Sequence, residues 1–504
     1  MRFLTSVKHL LPGVRILPPS TPLPPSTIST YPVLNPSTNQ VLCLIDRQDD
    51  WGSDVDVSRV TRSAVDKAMS VGESFKRTTS LDRANILSLW ASEIRSNSLA
   101  LATIMTLESG KPLTESLSEV EYGASFLSYY SGSCYRTSGL NGGHIIPSPF
   151  PDPSGYSRGT LMSYNEPVGV CGMITPWNFP LAMLTRKVAP ALAAGCTSVL
   201  KPSEHTPLTA IAVRELGRRA GVEDGIFEVL PFGEGGSRGF GDAICTNDDV
   251  KKVSFTGSTR VGKELQSKAA GGGVVKRMSL ELGGNAPFVV FEDADMDRAV
   301  DAAVKSKFRN AGQTCVCSDR FLIAKSRMDE FVERFKKEAE ELKVGDGMEE
   351  GTNLGPLITG QAAANVERKV RECKSGEIVT GGKRIVGNFF SPTIIVGMGL
   401  EEEVWREENF GPVACVRSFS DEDEALGVIK MSRTGLASYF LTKDVGRIFR
   451  FGRELPNGLV GVNEGIISTA HAPFGGIGES GIGREGSGEG IEEYLEKKYM
   501  MINH

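Results

Sequence analysis

Apolar and polar positions along the chain fall into two periods. From Ser80 to Ser96 the residues Leu81, Ala84, Ile86, Leu87, Leu89, Trp90 and Ile94 trace one helical stripe, which predicts an amphipathic helix in a globular segment that begins near Tyr31. Farther on, short β-branched runs alternate with helix-length segments over 168–174, 181–194, 197–200, 207–220, 227–230, 251–255 and 258–270. Such alternation reads as βαβ units on a parallel sheet. A second series starts at 287–291, followed by a helix at 296–308, a strand at 320–324 and a charged amphipathic helix at 329–342. The fold class expected is therefore α/β, with two doubly wound parallel-sheet domains. The Pro/Gly/Ser-rich stretch 140–159 reads as a connection rather than an element.

Bulk properties narrow the function. A chain of 504 residues exceeds a single core, and a net charge of -6 offers no basic field for nucleic acid. The longest apolar run, 188–200, falls short of the roughly 20 residues that span a bilayer. Nine cysteines are scattered, and the five histidines show no ligand spacing, so neither a disulfide framework nor a catalytic metal is expected. The first acidic residue is Asp46, while Arg2, Lys8 and Arg15 punctuate a Ser/Thr/Pro-rich start in which Phe3, Val7, Leu10 and Leu11 share a helical face up to Pro12. Residues 1–30 thus read as a mitochondrial transit peptide, with a disordered tail and a cytoplasmic or plastid address as alternatives.

Cys315, in "NAGQTCVCSDR", is the candidate nucleophile. A lone cysteine in an α/β protein is more often a small core residue, so the case rests on its company. Asn178 of "TPWNFP" follows a strand and has an amide able to donate to a developing oxyanion, although it could equally hold a turn between two prolines. Glu281 of "MSLELGGNAP" ends a strand before Gly283 and Gly284, where a carboxylate serves as general base or simply as a solvated strand-end charge. In "SFTGSTRVG", Gly257 and Gly262 follow a strand and Ser258 caps a helix whose N-terminal N–H groups suit a pyrophosphate. The loop is not the G-x-G-x-x-G fingerprint, which disfavours an ordinary Rossmann dehydrogenase. Upstream, Lys201 and Glu204 of "SVLKPSEHTP" could hydrogen-bond a ribose.

"TPWNFP", "KPSEHTP", "FTGSTRVG", "LELGGNAP", "GQTC" and "ENFGPV" stand in the order and spacing of the aldehyde dehydrogenase superfamily, which the chain resembles over 31–504. The resemblance implies Cys315 as nucleophile, Asn178 with the Cys315 N–H as oxyanion hole, and Glu281 as the base that activates water against a thioester. It implies a dinucleotide site formed by Thr175, Pro176, Trp177, Lys201, Ser203, Glu204, Gly257, Ser258 and Gly283, with Glu408 and Phe410 at the nicotinamide end. It divides the chain into a Rossmann-like NAD-binding domain (31–147 and 168–282), a catalytic domain (283–476) and a small β oligomerisation element (148–167 and 477–504), giving a dimer or tetramer. NAD is expected because Glu204 would repel a 2′-phosphate, with NADP tolerated through Lys201 and Ser203.

Around "SKFRNAGQTCVCSDR" the chain looks most similar to the succinate-semialdehyde dehydrogenase branch. Arg309, with Arg186 and Ser468, would clamp the substrate's own carboxylate. Glutarate semialdehyde, one methylene longer, is the competing substrate. Cys317 is a candidate redox partner for Cys315. The rival of another class is a non-catalytic protein that retains the fold.

Overall fold

The computed structural model describes residues 2–16, 26–47, 55–134 and 142–503. The stripe read at Ser80–Ser96 is one helix, opened by a capping box between Thr79 and Asp82, and its Ala84, Leu87, Trp90 and Ile94 are buried. It packs with the helices Leu113–Ser133, Ala182–Ala194 and Pro207–Arg219 on one face of a six-stranded sheet.

That sheet places Val170–Ile174 between Thr197–Lys201 and Val250–Thr256, all parallel, with Arg277–Glu281 parallel beyond Val250–Thr256. In register, Ile174 lies opposite Lys201 and Phe255, and Glu281 opposite Thr256. Four strands therefore end at one carboxyl edge, and the segments just beyond them carry Asn178, Ser203, Glu204, Gly257, Ser258 and Gly283 of the predicted site. A second sheet of seven strands holds Ala286–Val290 between Ser318–Ala324 and Ala437–Leu441, parallel except for its edge strand Glu377–Thr380. Its all-buried strands Ala286–Val290, Ser318–Ala324 and Ala437–Leu441 show why these runs read as continuous rather than alternating apolar sequence.

Three expectations need correction. The stretch 140–159 is not only a connection: the strand His144–Pro147 lies inside it and pairs antiparallel with Thr160–Pro167, which pairs in turn with Leu495–Ile502. Residues 140 and 141 lie outside the described residues. The segment 477–504 is not wholly part of the small β element, because Gly481–Ile482 adds antiparallel to Leu280–Glu281 at the edge of the first sheet, and Ile491 and Tyr494 enter that domain's core. Nor do residues 2–16 form a disordered tail. Leu4, Val7, Leu10, Leu11 and Val14 are buried in the helical core, and Val14–Arg15 pairs with Leu44 and Ile45. The helical face read before Pro12 is present, but it finds its apolar partner within this molecule. Residues 17–25 of the same expectation lie outside the described residues. Among the described residues no helix is long and apolar enough to cross a membrane.

Candidate active site

Cys315 sits on the loop that leads into Ser318–Ala324, at the amino end of the second sheet, facing the carboxyl edge of the first. A cavity of about 250 Å³ between the two sheets is lined by Cys315, Glu281 and Asn178 together with Pro176, Trp177, Gly257, Ser258, Gly283, Glu408 and Phe410. Three groups spread over 137 positions of sequence, from Asn178 to Cys315, thus share one cleft. Burial pushes the Cys315 thiol up to about 12, while the positive charges of Arg186 and Arg309 act in the opposite direction.

Glu281 is buried and neither of its oxygens has a hydrogen-bond partner. Burial and the nearby Glu485 carboxylate hold its pKa well above the usual carboxylate range, opposed by Lys187, Arg186 and Arg484. An unpartnered carboxyl with a raised pKa is suited to taking a proton from water. Asn178 spends one amide N–H on the Gln313 carbonyl at 3.0 Å, and a primary amide has a second to offer.

The loop before Cys315 is unusual. Asn310 (φ 51°), Ala311 (φ 54°) and Gly312 (φ 73°) are left-handed in succession, and a Cβ on Gly312 would stand 2.1 Å from the Gly411 carbonyl oxygen. Two non-glycine residues in this region cost of order 1–3 kcal/mol each, so the surroundings must impose the conformation. Behind the loop, Lys307 donates to Asp319 at 2.6 Å with both side chains excluded from solvent.

On the opposite wall, Ser258 caps the helix Thr259–Ala270 by accepting the Val261 N–H, which leaves neighbouring first-turn N–H groups free for an anion. Lys201 Nζ donates to Glu204 at 2.8 Å and to Ser237 at 2.5 Å, an acceptor and donor set suited to a ribose diol. Ser203 is buried beside them and accepts the His205 N–H, and the Thr175 N–H donates to the Lys201 carbonyl. Glu408 accepts the Gly284 N–H at 3.2 Å, burial raises its pKa to about 8, and a Cβ on Gly283 would stand 2.6 Å from its carboxylate. Phe410 meets Trp177 edge-on, with ring centroids 5.5 Å apart.

The residues expected to bind a substrate carboxylate are placed less simply. Arg309 is half-buried, with its guanidinium 5.2 Å from the Phe179 ring centroid. Arg186 is buried, bonded to the Tyr122 hydroxyl and 4.1 Å from the Phe474 ring centroid, with Nε and Nη1 lacking hydrogen-bond partners and Nη1 3.6 Å from Glu485. Ser468 is half-buried in the loop after Leu459–Val462. Cys317 is buried, and its thiol donates to the Lys307 carbonyl at 3.4 Å. Burial pushes that thiol up to about 12 as well.

A model of the aldehyde dehydrogenase family matches residues 23–500. The chain belongs to that family. It is 43% identical to the glutarate-semialdehyde dehydrogenase of Pseudomonas putida over 477 residues, covering 94% of each chain. It is 45% identical to the NADP(+) succinate-semialdehyde dehydrogenase of Escherichia coli over 446 residues, covering 88% of this chain and 89% of that one. The crystal structure of succinate-semialdehyde dehydrogenase from Burkholderia pseudomallei superposes with a TM-score of 0.89 at 39% identity, covering 98% of both chains. Members of the family use NAD(P) to oxidise aldehydes.

Several polar residues of this aldehyde dehydrogenase's site escaped the sequence reading: Lys111, Glu115, Glu119, Lys187, Ser237, Glu485, Lys307 and Asp319. Lys111 and Lys187 stand in apolar surroundings, and a buried lysine demands an acid partner; that partner, Glu119 or Glu485, comes from pairing no local pattern specifies.

Proposed function

We propose that this aldehyde dehydrogenase oxidises succinate semialdehyde to succinate, using NAD in preference to NADP. The observation that carries the chemistry is the single cleft lined by Cys315, Asn178 and Glu281. Cys315 gives its proton to water in the cleft and its sulfur bonds to the aldehyde carbon, while the free N–H of Asn178 and the Cys315 N–H receive the oxyanion. The donor set at Lys201, Glu204 and Ser258, with the uncluttered wall at Gly283, fits a nicotinamide dinucleotide, whose ring when bound accepts the hydride that leaves this carbon. A thioester on Cys315 results. Glu281 then draws a proton from water as its oxygen attacks the acyl carbon, the C–S bond breaks, and the acid departs.

For the substrate, the support is two arginines whose charges both act on Cys315. A cationic wall beside the nucleophile favours an aldehyde bearing its own carboxylate. Glutarate semialdehyde is the second reading, favoured by the Pseudomonas putida relative, and one methylene is worth only about 1–3 kcal/mol of discrimination. The Glu204 carboxylate supports NAD over NADP. The exposed Ile145, Tyr499, Met500 and Ile502 on the small three-stranded sheet support assembly into a dimer or tetramer through that sheet. The acid-free start with Lys8 and Arg15 supports mitochondrial import. The test is NADH and NADPH formation across semialdehydes of graded length and their uncharged counterparts. Preference for the four-carbon semialdehyde with NAD is expected; equal rates on an uncharged aldehyde would remove the substrate reading.

A further inference from the structure

Glu115 takes no part in the chemistry above, yet it lies where three parts of the site meet. It stands in the first turn of Leu113–Ser133, and both of its carboxylate oxygens accept the Asn310 N–H, at 3.1 and 2.9 Å. Asn310 opens the left-handed run that leads to Cys315. Its side-chain amide donates to the Asn178 carbonyl at 3.1 Å and to the Gln313 carbonyl at 3.3 Å, the same carbonyl that receives the Asn178 side chain. Lys111 donates to the Asn178 carbonyl at 2.6 Å from the other side, and the charges of Lys111 and Arg309 both act on Glu115. The nucleophile loop is therefore tied to this carboxylate directly, and the oxyanion loop through the Asn310 side chain.

We infer that Glu115 is a positioning residue, whose carboxylate holds Asn310 in its left-handed conformation and thereby sets Cys315 and Asn178 in register for carbonyl addition. Without it, the Asn310 N–H loses its acceptor at the start of the left-handed run, and the relaxed loop carries the thiol away from the amide. A misplacement of this kind lowers kcat for every aldehyde and leaves cofactor binding on the opposite wall untouched. The inference rests on the roles proposed for Cys315 and Asn178.

The experiment measures kcat, KM for aldehyde and NAD, and the rate of Cys315 alkylation by iodoacetamide in Glu115→Ala and Glu115→Gln. Glu115→Ala is expected to lose about tenfold or more in kcat on both succinate semialdehyde and an uncharged aldehyde of equal length, with an altered alkylation rate and an unchanged KM for NAD. Glu115→Gln, which keeps an acceptor for Asn310, recovers most of the kcat. A Glu115→Ala enzyme with parental kcat and alkylation rate overturns the inference, as does a Gln variant no better than Ala. If Glu115→Ala does not fold, Glu115→Asp replaces it: its kcat must fall below that of Glu115→Gln, and parental kcat there is equally fatal. Cys315→Ser tests the underlying reading separately. Turnover surviving that change removes the nucleophile itself, whereas an inert Cys315→Ser beside an unimpaired Glu115→Ala removes only the positioning role.

Discussion

The two walls of the cleft are built in opposite ways. The dinucleotide wall draws more on short local pieces, a strand end, a tight loop and a helix start, with partners a few residues apart, such as Lys201 with Glu204 and Ser258 with Val261, beside longer links such as Lys201 with Ser237. The nucleophile wall is held from a distance. Asn310 is fixed by Glu115, Asn178 by Gln313 and Lys187 by Glu485, across separations of 195, 135 and 298 residues. Its ion pairs are buried, so each is costly to break, while the cofactor wall stays open enough to exchange its ligand. The same chemistry thus needs a rigid side to hold the reacting carbon and a permissive side to admit and release a cofactor.

Substitutions should report that asymmetry. The largest effect is expected at the proposed base: Glu281→Gln should lose about 10²–10⁴-fold in steady-state turnover, checked by stopped-flow and steady-state assays, because the group proposed to activate water is gone while acylation survives. Lys307→Met leaves Asp319 buried and unpaired, and should cost about 3–5 kcal/mol of stability in denaturant titration. Arg309→Leu should weaken kcat/KM for succinate semialdehyde by about 2 kcal/mol, some thirtyfold, with little change for an uncharged aldehyde of equal length; parallel losses on both would remove its carboxylate role.

A smaller effect concerns pH. Burial raises Glu115 to about 7, with Lys111 and Arg309 opposing and Glu119 reinforcing. The carboxylate that grips Asn310 is therefore present above that pH and is lost as pH falls through it. A carbonyl oxygen for the Asn310 N–H survives that protonation, as it does in Glu115→Gln, so the kcat profiles of the parent and of Glu115→Gln should coincide through this range, and an acid limb in the parent alone would show that the charge is needed as well as the acceptor. The smallest change is expected on the permissive wall. Glu204→Gln should shift the NAD-to-NADP ratio of kcat/KM toward NADP and leave kcat intact, and a collapse of kcat would show that this wall is as tightly coupled as the other.

This asymmetry also accounts for what the sequence made legible. The strands ending at Ile174, Lys201, Thr256 and Glu281 announce themselves by β-branched runs, and their loops by glycine and proline, because local geometry dictates those residues. Cys315, Asn178 and Glu281 were reachable because their motifs are short and contiguous. Glu115 carried no such mark: its partner is a backbone N–H 195 residues away, and its helix position reads as an ordinary first-turn acid. Arg186 was visible, but its burial among Tyr122, Phe126 and Phe474 was not, since the rings come from other elements. The apolar face before Pro12 was legible but was assigned to a transit peptide or a disordered tail rather than to this molecule's own core, because periodicity states that an apolar face exists and not what covers it.

The most direct measurement is mass analysis of Glu281→Gln, quenched with acid after a single mixing with NAD and succinate semialdehyde. Cys315 is predicted to carry a stoichiometric succinyl thioester, formed together with one equivalent of NADH and persisting for many parental turnover times. An unmodified Cys315, or an acyl group on any other residue, would contradict the division of labour between thiol and carboxylate.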